Sequence, residues 1–169
     1  MADLAARAVR APLARGLKVR GPRVEYLAFR LGPDTYGVPI GEVREILKLP
    51  PVTEVPRAPT DVIGVVSVRG LLVTVLDLKL RLRASPSEIT KKGRILLVMG
   101  ADDEVIGLYV DEVLQVFRLA ESEVELANNV LGSKLGDYVV GIGRPEGSLL
   151  ILIDLAPILG RPGEVRNAT

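Results

Sequence analysis

Two pairs of segments recur in the same order along this 169-residue chain, and that duplication constrains the fold more than any other feature. "YLAFRLGPDTYGVPIGEVREILKL" from Tyr26 and "ILLVMGADDEVIGLYVDEVLQVFRL" from Ile95 share one plan. Each has an apolar strand, a Gly/Asp-rich turn, a second strand, then Glu-Val and a further apolar stretch. An offset of 70 places Gly37 on Gly107, Glu42-Val43 on Glu112-Val113 and Leu49 on Leu119. "VIGVVSVRGLLVTVLDL" and "VVGIGRPEGSLLILIDL" form the second pair, and an offset of 77 places Gly64 on Gly141, Gly70 on Gly147 and Asp77-Leu78 on Asp154-Leu155. The short apolar runs, rich in β-branched residues and punctuated by turns, have the spacing of strands in small barrels.

The sequence therefore predicts a mostly all-β chain of two related subdomains with about five strands each and short helices. The first takes about residues 24–83 plus C-terminal returns, and the second about 94–155. "RASPSEITKKGR", Arg83 to Arg94, joins them; it is polar, holds Pro86 and has no apolar period. Residues 1–23 read as a basic arm, 24–160 as the folded domain and 161–169 as a tail. Aromatic residues make up only 4% of the chain, so Val, Leu and Ile must fill the cores.

Composition narrows the chemistry. There is no histidine, hence no imidazole base for a nucleophilic triad, and no cysteine. With both absent, a metal would need oxygen ligands alone. "GADDEVIG" is the one dense acidic cluster, and between two apolar runs it reads as a hairpin loop. The glycines of "GIGRPEG" have the wrong spacing for a dinucleotide fingerprint, and no phosphate-loop Lys-Ser pair exists. "NNVLGSKLGDY", with Lys134, reads as an ordinary polar connection. Asp77 and Asp154 occupy equivalent places after strands, where N-capping a following helix explains both without a catalytic dyad. The expectation is a protein with no catalytic residue, no metal site and no cofactor.

Charge is unevenly distributed. Residues 1–24 hold six basic side chains against Asp3, while the remainder carries 16 basic and 20 acidic residues. Such an arm can meet nucleic acid or an acidic membrane surface. Pro12 and Gly16 interrupt any helix in it and no aromatic is present to stack on a base, so it reads as a mobile, solvating tail. No apolar run reaches the roughly 18 residues of a membrane span, and "MADLAARAVRAPLARGLKVRG" lacks the continuous apolar stretch of a cleavable signal peptide, so the expected location is the cytoplasm.

Arg69 interrupts an otherwise almost wholly apolar stretch, Val62 to Leu78, and is followed by Gly70. The pair reads as an exposed hairpin tip or as an arginine held on a rigid turn to meet a partner. The offset of 77 puts Glu146 at the equivalent position, so the repeat keeps the turn without the charge.

The succession "YLAFRLGPDTYGVPIGEVREIL", "VTEVPRAPTDVIGVVSVRGLLVTVLDL", "GLYVDEVLQVFRL" and "LLILIDLAPIL" resembles the CheW family of bacterial chemotaxis coupling proteins, over about Tyr26 to Leu159. Where that family usually has Asn-Leu-Arg-Gly, this chain has Ser67-Val68-Arg69-Gly70. The resemblance implies two SH3-like five-stranded barrels packed together, in a non-catalytic adaptor between methyl-accepting chemoreceptors and a CheA-type histidine kinase. It implies a receptor-binding groove that includes Val43, Glu45, Arg69 and Val116, for the helical cytoplasmic tip of a receptor. It also implies a site for the kinase's regulatory domain at Leu49, Val52 and Val55, and recruitment to receptor arrays without membrane insertion. Two alternatives stay open: a CheW-like module of a divergent motility or developmental pathway, and a small β-barrel that binds nucleic acid through its basic arm.

Overall fold

The computed structural model describes residues 21–83, 85–127 and 138–160. Most of the basic arm (residues 1–20), the loop around Lys134 and the tail 161–169 lie outside the described residues.

Eleven strands and one short α-helix follow in chain order among the described residues. They are β1 (Arg23–Leu31), β2 (Asp34–Pro39), β3 (Glu45–Leu47), β4 (Val62–Val68), β5 (Leu71–Asp77), α1 (Leu78–Arg83), β6 (Arg94–Met99), β7 (Val105–Val110), β8 (Glu112–Ala120), β9 (Val124–Leu126), β10 (Val139–Gly143) and β11 (Leu150–Ile153). Two sheets result, one ordered β8-β1-β2-β11-β10-β9 and the other β3-β6-β7-β5-β4. The architecture is the mostly-strand, two-sheet arrangement expected from the sequence.

The sheets are not the two sequence halves. β3, β4 and β5 precede the polar joint, yet they share a sheet with β6 and β7, while β8 to β11 return to β1 and β2. Strand pairing therefore crosses the polar joint between 24–83 and 94–155. An isolated hairpin is marginal in water, so each needs further strands. The β1–β2 hairpin finds them in parallel pairing of β2 with β11, and the β6–β7 hairpin in parallel pairing of β7 with β5. Which edge meets which partner is not encoded in the repeat offset.

The duplication is nonetheless visible in geometry. The β4–β5 ladder shifts register between Val62 and Gly64, and the β10–β11 ladder between Val139 and Gly141, at the same offset of 77. The Asp77 N–H donates to the Asp61 carbonyl at 2.8 Å, and the Asp154 N–H donates to the Tyr138 carbonyl at 2.7 Å. Both bulge glycines touch a crossing segment. A Cβ on Gly64 would lie 2.5 Å from the Thr53 carbonyl oxygen, and one on Gly141 would lie 2.8 Å from that of Glu125.

Strands that are apolar at successive positions bury both faces. Leu27, Phe29 and Leu31 of β1, Leu96 and Val98 of β6, and Leu108 of β7 belong to a core shared by the two sheets. Their neighbours point the other way: Ile95, Leu97 and Tyr109 fill the interior of the second sheet with Val66, Val73 and Val75. Ala28, Leu119, Leu150 and Leu152 fill that of the first. Each sheet curls around its interior because its edges meet. In the first, the edge strands β8 and β9 are consecutive and joined by residues 121–123. In the second, Thr53 bridges to Val65 on the outer edge of β4.

Asp77 caps α1 as expected: the Leu80 N–H donates to its Oδ1 at 3.1 Å, and Ser87 donates to the same carboxylate. Asp154 differs. The Ala156 N–H donates to it at 3.2 Å and the chain then makes a single turn, so this is an aspartate turn and not a helix cap. α1 is also fixed by a buried ion pair, Arg81 Nε to Asp61 Oδ2 at 2.6 Å, with side chains 3% and 6% exposed. Arg81 Nη1 donates to the Ile158 carbonyl, which ties the helix to the C-terminal turn.

Candidate partner-binding surface

Val68 and Leu71 are paired across the β4–β5 ladder, leaving Arg69-Gly70 as a two-residue hairpin loop. Both loop residues have positive φ, 49° and 85°, as a type I′ turn requires. Gly70 adopts this freely, but for arginine it costs on the order of 1–2 kcal/mol. Asn would serve the turn better, so an arginine retained there points to a task beyond chain reversal.

Arg69 Nη2 donates to Glu45 Oε2. Glu45 lies on β3 and Arg69 follows β4, so this ion pair joins opposite edges of one sheet. The Arg69 side chain is still two-thirds exposed, and it lines a groove of about 280 Å³ with Glu45, Val68, Leu71, Leu97 and Val105. The family resemblance implied that Glu45 and Arg69 share a groove but gave no sign that they pair with each other.

The remaining expected receptor residues are less concentrated. Val43 is half-buried and packs on the shared core. Val116 is 42% exposed but stands on β8, in the other sheet, opposite Leu27. Of the expected kinase residues, Leu49 and Val52 are half-buried against the interior of the second sheet, whereas Val55 is 44% exposed. Leu49 and Val52 therefore contribute to that interior as well as to the nearby surface.

Leu71 and Leu72 were not singled out from the sequence. They are 63% and 78% exposed, directly beside the Arg69-Gly70 turn. Their signal was present: two leucines follow a hairpin glycine, where a strand end facing water is ordinarily polar. An apolar pair next to an exposed arginine is a surface suited to binding a partner.

Burial pushes the phenols of Tyr26 and Tyr138 upward, and burial together with the Asp154 charge raises the Glu42 carboxyl. These groups lie on separate elements, and Tyr26 and Tyr138 line different cavities.

A family described as the CheW-like domain matches residues 25–162. Chemotaxis protein CheW of Klebsiella aerogenes is 30% identical over 151 residues, covering 88% of this chain and 90% of that protein. Protein PilI of Pseudomonas aeruginosa is 38% identical over 104 residues, 60% of this chain and 58% of that protein. Among solved structures, the scaffolding protein TtCheW from Thermoanaerobacter tengcongensis superposes with a TM-score of 0.70 at 28% identity, covering 79% of this chain and 90% of that one.

Proposed function

This chain belongs to the CheW-like family of chemotaxis scaffold proteins, and on that premise we propose that it couples methyl-accepting chemoreceptors to a CheA-type histidine kinase without catalysing a reaction. The observation that carries the reading is the Arg69 turn. An arginine is held in a left-handed conformation at a hairpin tip, anchored to Glu45 and bordered by exposed Leu71 and Leu72.

The receptor-binding surface in this reading comprises Val43, Glu45, Arg69 and Val116, with Arg69 offering charge-assisted hydrogen bonds to carboxylates or terminal carbonyls of a receptor helix. The regulatory domain of the kinase docks around Val55, with Leu49 and Val52 shaping that surface from beneath. Work of this kind takes place in the cytoplasm, at receptor arrays. No helix among the described residues is long and apolar enough to cross a membrane.

A second reading is that the module serves a divergent chemosensory pathway, since a relative outside the CheW name, PilI, shares 38% identity over 104 residues. Titrating the protein with a receptor-tip fragment, a kinase regulatory domain and RNA separates the possibilities. The proposal expects the first two to bind, separately and together. Binding of RNA alone, with steep salt dependence, would overturn it.

A further inference from the structure

Where α1 ends against the first sheet there is a cavity of about 350 Å³, lined among others by Asp34 and Tyr36 of β2, Arg83 of α1, Tyr138, Ile142 of β10 and Ile151 of β11. Small-molecule sites span roughly 300–1,000 Å³, and this one falls at the lower end. Asp34 and Arg83 form an ion pair at the mouth, with side chains 39% and 33% exposed. Deeper in, Tyr36 is 5% exposed and its ring is stacked on Phe29. Ile142, 2% exposed, and half-buried Ile151 supply an apolar wall. The Tyr138 hydroxyl donates to the Leu82 carbonyl at 3.0 Å, which holds the opposite wall to α1.

Hydrogen-bonding capacity is left over in this cavity. Arg83 Nη1 donates to Asp34 Oδ2 and, at 3.3 Å, to the Tyr36 hydroxyl. Among the described residues, Arg83 Nε and Nη2 find no acceptor and Asp34 Oδ1 no donor. The Tyr36 hydroxyl accepts from Arg83 but has no acceptor for its own proton, although its side chain is almost wholly buried. A buried donor left unmet costs free energy, so a molecule that offers it an acceptor binds favourably.

We propose that this cavity binds a free amino acid with a branched apolar side chain, such as leucine. The ligand carboxylate accepts from the unused N–H groups of Arg83 and from the Tyr36 hydroxyl. Its ammonium donates to Asp34, and its side chain packs on Ile142 and Ile151. Charge selects this class. Asp34 and Arg83 cancel each other, so a lone carboxylate is opposed by Asp34 and a lone ammonium by Arg83, whereas a zwitterion meets both with the right sign. The cavity shares no lining residue with the Arg69 groove, so the site stands independently of the proposed receptor contact.

Titration of the full chain with L-leucine, followed through the protein's own NMR signals, tests the site. Saturable shifts should centre on Tyr36, Leu82, Tyr138 and Ile151, with a dissociation constant of about 0.1–10 mM for a ligand of so few atoms. Isoamylamine lacks the carboxylate and isocaproate lacks the ammonium, so each should bind at least about tenfold more weakly. Tyr36→Phe and Arg83→Gln should each weaken leucine binding at least about fivefold. Should Tyr36→Phe fail to fold, Arg83→Gln carries the same measurement, because that side chain stands at the mouth. The proposal is overturned by shifts that do not saturate up to about 50 mM, or by shifts centred outside this cavity. Equal binding of either analogue, or leucine affinity unchanged in the folded variants, overturns it as well.

Discussion

Arg69 and Glu146, 77 residues apart, share one backbone conformation and carry opposite charges. Their φ angles are 49° and 53°, and each precedes a glycine, Gly70 at 85° and Gly147 at 82°. The duplication thus preserved the turn and let its side chain diverge. Glu45, the partner of Arg69, corresponds under the offset of 70 to Gln115. Neither member of the ion pair is kept in the other sheet, so the pair is not a requirement of the fold.

That separation of turn and charge can be tested. Arg69→Asn supplies the residue that a type I′ turn prefers, so unfolding free energy should stay within about 0.5 kcal/mol of the parent or rise. Receptor-tip binding should weaken by about 1–3 kcal/mol through loss of charge-assisted hydrogen bonds. Calorimetric titration beside a urea melt reads both. Substantial destabilisation with unchanged receptor affinity would make Arg69 structural.

The Glu45–Arg69 pair should add little to stability by itself. A double-mutant cycle of Glu45→Gln with Arg69→Gln should give a coupling energy below about 1 kcal/mol, as for solvent-exposed pairs. A larger coupling in the thermal melt would show that edge closure depends on this contact.

Asp61 and Arg81 should behave in the opposite way. Their ion pair is almost fully buried, and removing one charge strands the other. Arg81→Met should cost about 3–5 kcal/mol of unfolding free energy, measured by urea denaturation. A loss near zero would mean that water reaches Asp61 in solution.

Val55 distinguishes surface from interior at the proposed kinase site. Val55→Asp should leave the melt unchanged within about 0.5 kcal/mol yet weaken binding of the kinase regulatory domain. Val52→Ala should lower stability, because that side chain packs on the interior of the second sheet. Kinase binding that survives Val55→Asp intact would place the site elsewhere.

Alkaline pH should destabilise the fold through Tyr26 and Tyr138. Burial raises both phenols, so the unfolded chain releases its tyrosine protons first, and stability falls as pH rises from the ordinary value of 10.0 through the higher native ones. In Tyr26→Phe with Tyr138→Phe that part of the decline should disappear. Urea melts from pH 8 to 11 would show it, and identical pH slopes in both proteins would contradict it.

Much was determined by the sequence itself. Paired glycines at fixed offsets, apolar runs of strand length and turn residues at their junctions specify hairpins, bulges and the Asp77 cap, because these depend on local backbone geometry and nearby hydrogen bonds. The family pattern around Arg69-Gly70 was legible for the same reason. Only the tertiary structure decided which hairpins share a sheet, since β2 with β11 and β7 with β5 meet over separations that no local period encodes. It also decided that Glu45 and Arg69 touch, and that Leu49 and Val52 pack partly against an interior while Leu71 and Leu72 face water. Each is set by how a curled sheet brings distant edges together, and strand-by-strand hydrophobicity is blind to that closure.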